Sequence, residues 1–197
     1  MDQRTMISSL ALLVSFSVLA LNTTDCDQLL EDYREQGLQL DYQAFDQTQG
    51  SGFRWLAAQG CPSQAADLIE AYIEAHGGSQ RSLVWHLAQM RGESGEVTAA
   101  IEAALQSLDM DESTDAPFRW NAHVLAYLAV LEGDREAFDR SLAELLAASD
   151  RHQGNQINAS MWQKLSPYFD LGYAQAIRSA YGIPAENNDE KEEKQEP

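Results

Sequence analysis

The sequence predicts an all-α fold assembled from helix pairs, and three observations carry that expectation. Apolar residues recur at i, i+3, i+4 and i+7, the spacing that gathers them on one face of a helix of 3.6 residues per turn. After Ser63, for example, Ala65, Leu68, Ile69, Tyr72 and Ile73 keep this period, while Asp67, Glu70 and Glu74 fall off the stripe. Glycines punctuate the chain at Gly60, Gly95 and Gly133, spaced 35 and 38 residues apart, close to the period of a helix-turn-helix repeat. No apolar/polar alternation long enough for a strand intervenes.

The elements follow in order. Residues 27–36 (DQLLEDYREQ) read as a short helix stopped at Gly37, and Asp41 is placed to cap a second one reaching about residue 48. Gly50-Ser51-Gly52 then breaks the chain. Three helix pairs are expected over about 50–77, 79–108 and 117–149. The first is FRWLAAQG with SQAADLIEAYIEAHGG, the second SLVWHLAQMRGESG with EVTAAIEAALQSL, and the third PFRWNAHVLAYLAVLEG with DREAFDRSLAELLAAS. In the third, Pro117 suits a first helical turn, and Leu142, Leu145 and Leu146 continue the stripe begun by Phe138. An Asp/Ser/Thr-rich loop at 109–115 absorbs the extra length between the second and third glycines. Beyond Ser149, DRHQGNQIN reads as a polar loop. Two aromatic-rich helices within 159–182, separated near Pro167, form the expected cap on the exposed apolar end of the array.

Both ends read differently from the middle. Residues 7–20 (ISSLALLVSFSVLA) are apolar but short and interrupted by four serines, which suits the core of a secretory signal better than a membrane span of about 20 residues. Val18 and Ala20 place cleavage after Ala20. The expected location is periplasmic or secreted, with no stable membrane insertion after cleavage. Asp25 and Thr23 ahead of Cys26 argue against lipid attachment there. The chain has two cysteines, Cys26 and Cys61, and in an oxidising compartment such a pair is expected to form a disulfide. The segment 186–197 (ENNDEKEEKQEP) reads as a disordered acidic tail with a net charge of −4. The chain as a whole carries −18, leaving −14 on the helical domain at 21–185. So acidic a chain is not built for nucleic acid, which is held by clustered Lys and Arg.

The second pair carries a family resemblance. Gly95-Glu96-Val97-Thr98-Ala99-Ala100-Ile101 looks like the turn of tetratricopeptide repeats, with Ala88 as the small residue where the two helices approach. Gly133-Asp134 with Ala137, and Gly60 with Ala65 and Ala66, open their turns in the same style. The prolines that end standard repeats are absent, and the third turn is one residue out of register. The resemblance covers roughly residues 50–150. It implies a right-handed helical-hairpin solenoid with a habit of protein binding. A looser likeness, through Tyr42–Thr48, Gly52-Phe53-Arg54-Trp55, Gly60-Cys61, Trp85-His86 and Trp120-Asn121, is to uncharacterised exported bacterial proteins. It implies a bacterial envelope setting.

The chain holds no HExxH, GxSxG, phosphate loop or dinucleotide turn, and Cys61 has no second Cys or His at metal-ligand spacing. No catalytic residue, cofactor or metal is therefore expected. Trp55, Trp85 and Trp120 recur early in the first helix of each pair, and Arg54 and Arg119 precede two of them. If the first helices line a concave groove, it would present Trp85, His86, Gln89, Arg119, Trp120, Asn121 and His123 to a protein or peptide partner. Two other readings stand beside it. One is a hydrolase or metal-dependent enzyme at His86 and His123, with Glu93 or Asp46 as the acid. The other is a small-ligand sensor with a closed aromatic pocket.

Overall fold

The computed structural model describes residues 24–77 and 80–183. The expected signal segment at 1–20 and the acidic tail at 186–197 lie outside them. Among the described residues the chain is all-α, without a strand, and no helix is long and apolar enough to cross a membrane.

Helix α1 (Cys26–Leu38) is capped by Asp25, whose carboxylate accepts the Gln28 N–H at 3.1 Å. It runs through Gly37, which the sequence reading took for a stop. Gly37 is buried, and a Cβ there would lie 3.2 Å from Leu68. The glycine thus marks a close helix contact and not an end. Asp41 caps the next element as expected, accepting from the Ala44 N–H at 2.8 Å, but that element is a π-helical turn (Gln43–Gln47) that sends Phe45 and Asp46 fully inside.

Helices α2 (Phe53–Ala58) and α3 (Pro62–His76) follow, and the disulfide Cys26–Cys61 ties the start of α1 to the turn between them. Helices α4 (Arg81–Glu93) and α5 (Val97–Gln106) form one hairpin, and α6 (Trp120–Glu132) and α7 (Arg135–Ala147) another. Their turns hinge on Gly95 (φ 84°) and Gly133 (φ 72°), in the left-handed region that disfavours any side chain. Arg91 near the end of α4 is buried and binds Asp67 and Glu70 of α3 at 2.7 and 2.9 Å, and Glu96 at 2.9 Å, clamping the second helix pair to the first.

Two boundaries differ from the sequence reading. Helix α6 begins at Trp120, and Pro117 lies in the preceding loop. The loop is fastened sideways: the Asn121 amide accepts from Asp109 N–H and donates to Asp109 C=O, both at 2.8 Å. The Pro117 carbonyl accepts from Asn155 at 2.8 Å. Helix α8 (Gln153–Leu165) takes in most of the segment expected to be a polar loop. His152 caps it through Nδ1, and wholly buried Asn155 satisfies its amide on Arg119, Pro117 and Ala148. A short 3-10 turn (Ser166–Leu171) leads into α9 (Tyr173–Tyr181), which folds back to pack against α4, α6 and α8.

The core has two parts. One, under α1, α2 and α3, gathers Phe45, Phe53, Leu56, Leu68, Ile69 and Tyr72. The larger centres on α6, where Ala122 through Val130 are buried apart from Leu125. That helix is apolar nearly all round because others surround it. Ile73 and Leu87 pack against both parts and join them. The expected stripe of α3 is inside, but Leu146 on α7 is 42% exposed, and Ser141 takes an inward position instead.

Candidate binding cleft

Helix α4 presents the predicted residues on two faces, and the structure gives each a different environment. Trp85 lies against α6, with ring centroids 5.9 Å from Trp120, 4.7 Å from His123 and 5.1 Å from Tyr127. Trp85 and His123 are only 4% and 5% exposed. The Trp162 indole N–H donates to His123 Nδ1 at 3.0 Å, which leaves the ring proton on Nε2. Burial pushes the His123 pKa down to about 3.

His86 faces the other way. Its Nδ1–H donates to Asp46 Oδ1 at 2.6 Å, and its Nε2 accepts from Arg54 Nη2 at 3.2 Å. Arg54 Nε–H in turn donates to the Asp46 backbone carbonyl at 2.7 Å, and the Gln47 amide donates to Asp46 Oδ2. Burial pushes the Asp46 carboxyl up, but the hydrogen bonds from His86 and Gln47 outweigh it and hold it below its usual range. Nearby, Tyr42 and Ser82 share a 2.5 Å hydrogen bond. Both imidazole nitrogens are thus committed to a network that fastens the π-helical turn to α2 and α4. His86 and His123 answer to different partners and do not converge with an acid on a common pocket.

Gln89 lies beside the Tyr173 hydroxyl, and Tyr173 meets Tyr127 edge-on at 4.5 Å. One turn on, Glu93 lines a small cleft of about 210 Å³ with Arg178, Ile177 and Ala174 of α9, and Ala57 and Pro62 opposite. Burial raises the Glu93 pKa to about 7, against the opposing charge of Arg178.

Trp120 lines something larger. Between the start of α4 and the 109–118 loop opens a cleft of about 670 Å³, lined among others by Arg81, Asp109, Asp111, Glu112, Phe118 and Trp120. Phe118 and Trp120 are half-buried and meet edge-on at 6.1 Å, and the Trp120 indole N–H donates to the Ser107 carbonyl at 2.7 Å. Arg81 pairs with Asp109 at 2.9 Å. Arg119 donates to Glu144 and to the Ser113 carbonyl, and lies 3.2 Å from Glu112 outside hydrogen-bond geometry. Glu112 accepts the Asn121 backbone N–H at 2.7 Å. Asp111 is exposed, and Met110 beside it is 89% exposed.

The seven residues expected to line one groove are therefore divided. Trp120 lines the open cleft, with Arg119 and Asn121 bracing its loop. Trp85 and His123 are interior, His86 belongs to the Asp46 network, and Gln89 meets α9. The 109–118 loop, read from sequence as a spacer, supplies most of the cleft. Its only signal was acids at 109, 111 and 112 shortly ahead of Phe118 and Trp120. Among the described residues, no group of three or more His, Cys, Asp or Glu is arranged to hold a metal ion. No family model, curated protein or solved structure matches the chain.

Proposed function

We propose that this chain is an exported helical-repeat scaffold that binds a protein or peptide segment in the cleft between the start of α4 and the 109–118 loop. The observation that carries this reading is the cleft itself: an open concavity with two aromatic side chains in its wall and carboxylates beside them. Aromatic residues at the edge of a concavity are the usual anchors of protein recognition. The consecutive hairpins α4/α5 and α6/α7, turning on Gly95 and Gly133, are compatible with stacked helix pairs, although the described residues do not show a tetratricopeptide-like repeat. The disulfide is compatible with an oxidising compartment, in keeping with export. A hydrolase at His86 and His123 draws no support from the geometry, because both rings are engaged in structural hydrogen bonds.

The test is site-specific photo-crosslinking in the compartment the protein reaches. The crosslinker is placed at position 111 in the cleft or, as a control, at exposed Ile157 on α8. A discrete adduct from 111 and none from 157 is expected. Adducts from 157 alone, or from neither position, would overturn the reading.

A further inference from the structure

We infer that the segment this cleft takes is cationic: a Lys- or Arg-bearing peptide whose charged head pairs with Asp111 while its aliphatic stem lies on Phe118 and Trp120. This rests on the binding reading above and adds the chemistry of the partner.

Charge complementarity is the argument. Three acids line the cleft with one cation, Arg81, and they differ: the Glu112 side chain is only 4% exposed and lies against Arg119, while Asp111 is exposed. That cation is already paired with Asp109. Arg119 behind the loop is engaged by Glu144, Ser113 and Glu112. Arg151 holds the end of the loop by donating to the Asp115 and Ala116 carbonyls. An incoming cation finds the exposed Asp111 carboxylate at the rim. An acidic segment would meet the Asp111 carboxylate and be repelled by it.

The aromatic wall adds a second preference for a cation. The faces of Phe118 and Trp120 attract Lys and Arg heads through the ring quadrupole, and their area accepts the methylene stem. Met110, almost fully exposed between the two aspartates, offers an adaptable apolar contact for a neighbouring side chain. The net charge of −14 on residues 21–185 draws such a segment in from a distance.

The test uses three labelled peptides of about ten residues, identical except that Lys/Arg, Gln or Glu alternates with Leu. Each is titrated by fluorescence anisotropy against the full chain, Asp111→Lys, and the control Glu136→Lys on the exposed face of α7. The Lys/Arg peptide is expected to bind the wild type, at least about tenfold more weakly to Asp111→Lys, and within about twofold unchanged to Glu136→Lys. Its affinity should fall as salt rises. Equal loss in both variants would show a non-specific charge effect and overturn the inference. Equal binding of the Gln peptide, indifferent to Asp111→Lys but lost in Phe118→Ala, would overturn the cationic partner and leave the cleft standing. Binding by none of the three would also overturn the cationic partner, while crosslinking from position 111 decides the cleft separately.

Discussion

The indole N–H of Trp162 donates to Nδ1 of His123 at 3.0 Å, joining α8 to α6 inside the larger core. That bond and the surrounding aromatics keep the imidazole neutral, with its pKa depressed to about 3 by burial. In the unfolded chain the ring titrates near its ordinary 6.5. As pH falls below that value the unfolded state takes up a proton that the folded state refuses, so this residue costs stability between about 6.5 and 3. Urea unfolding at about pH 7 and pH 4.5 is expected to show a larger loss for the wild type than for His123→Gln.

Glu93 acts with the opposite sign. Its folded-state pKa is raised by burial to about 7 from an ordinary 4.5. Its contribution is fully present below 4.5 and is lost as pH rises through 7, where the folded state must hold a poorly solvated carboxylate in the cleft. Glu93→Gln is therefore expected to raise the melting temperature relative to wild type at about pH 8.5 and to give no gain at about pH 4.5. Equal shifts at both values would show that the residue acts through packing alone.

A third expectation concerns the crossing of α4, α6 and α9. A Cβ at Gly92 would overlap the Tyr127 hydroxyl and come within 2.9 Å of the Tyr173 ring. The Tyr127 hydroxyl itself donates to the Ala88 carbonyl, so it has nowhere to retreat. Gly92→Ala is expected to cost about 1–3 kcal/mol by overpacking. Tyr127→Phe in the same chain should recover part of that loss, and a double-mutant cycle by chemical denaturation measures the recovery.

The disulfide gives a fourth. Cys26 and Cys61 are 35 residues apart in sequence, and closing a loop of that length stabilises by roughly 3–4 kcal/mol in the chain-entropy picture. Cys26→Ser/Cys61→Ser should lower stability by an amount of that order in denaturant unfolding. The wild type under reducing conditions should match it.

What the sequence made legible was periodicity and turn chemistry. The α3 stripe from Ala65 to Tyr72 is buried as read, and Gly95 and Gly133 turn the hairpins where expected. The N-terminal turn of α8 was missed because its inward residue is Asn155, whose amide is buried on partners 7 to 38 residues away that no local pattern announces. Gly37 was misread because a glycine at a tight helix contact and a glycine at a helix end look the same in one dimension. The site was read only in part for a related reason. Spacing placed Trp85, Trp120 and His123 on one expected groove face; in the structure they touch one another, but spacing does not tell which element covers an apolar face. Here α8 supplies Trp162 to His123, and α9 returns to pack Tyr173 against Tyr127, both from later in the chain.

Binding is expected at the Trp120 cleft and not at half-buried His86 or buried His123. The most direct test of this expectation follows the tryptophan indole N–H signals by two-dimensional NMR while the Lys/Arg peptide is titrated in. The Trp120 signal, bonded to the Ser107 carbonyl at the cleft wall, is expected to shift progressively to saturation, while the Trp162 signal on His123 stays in place. A static Trp120 signal throughout the titration, or a response confined to Trp162, would contradict it.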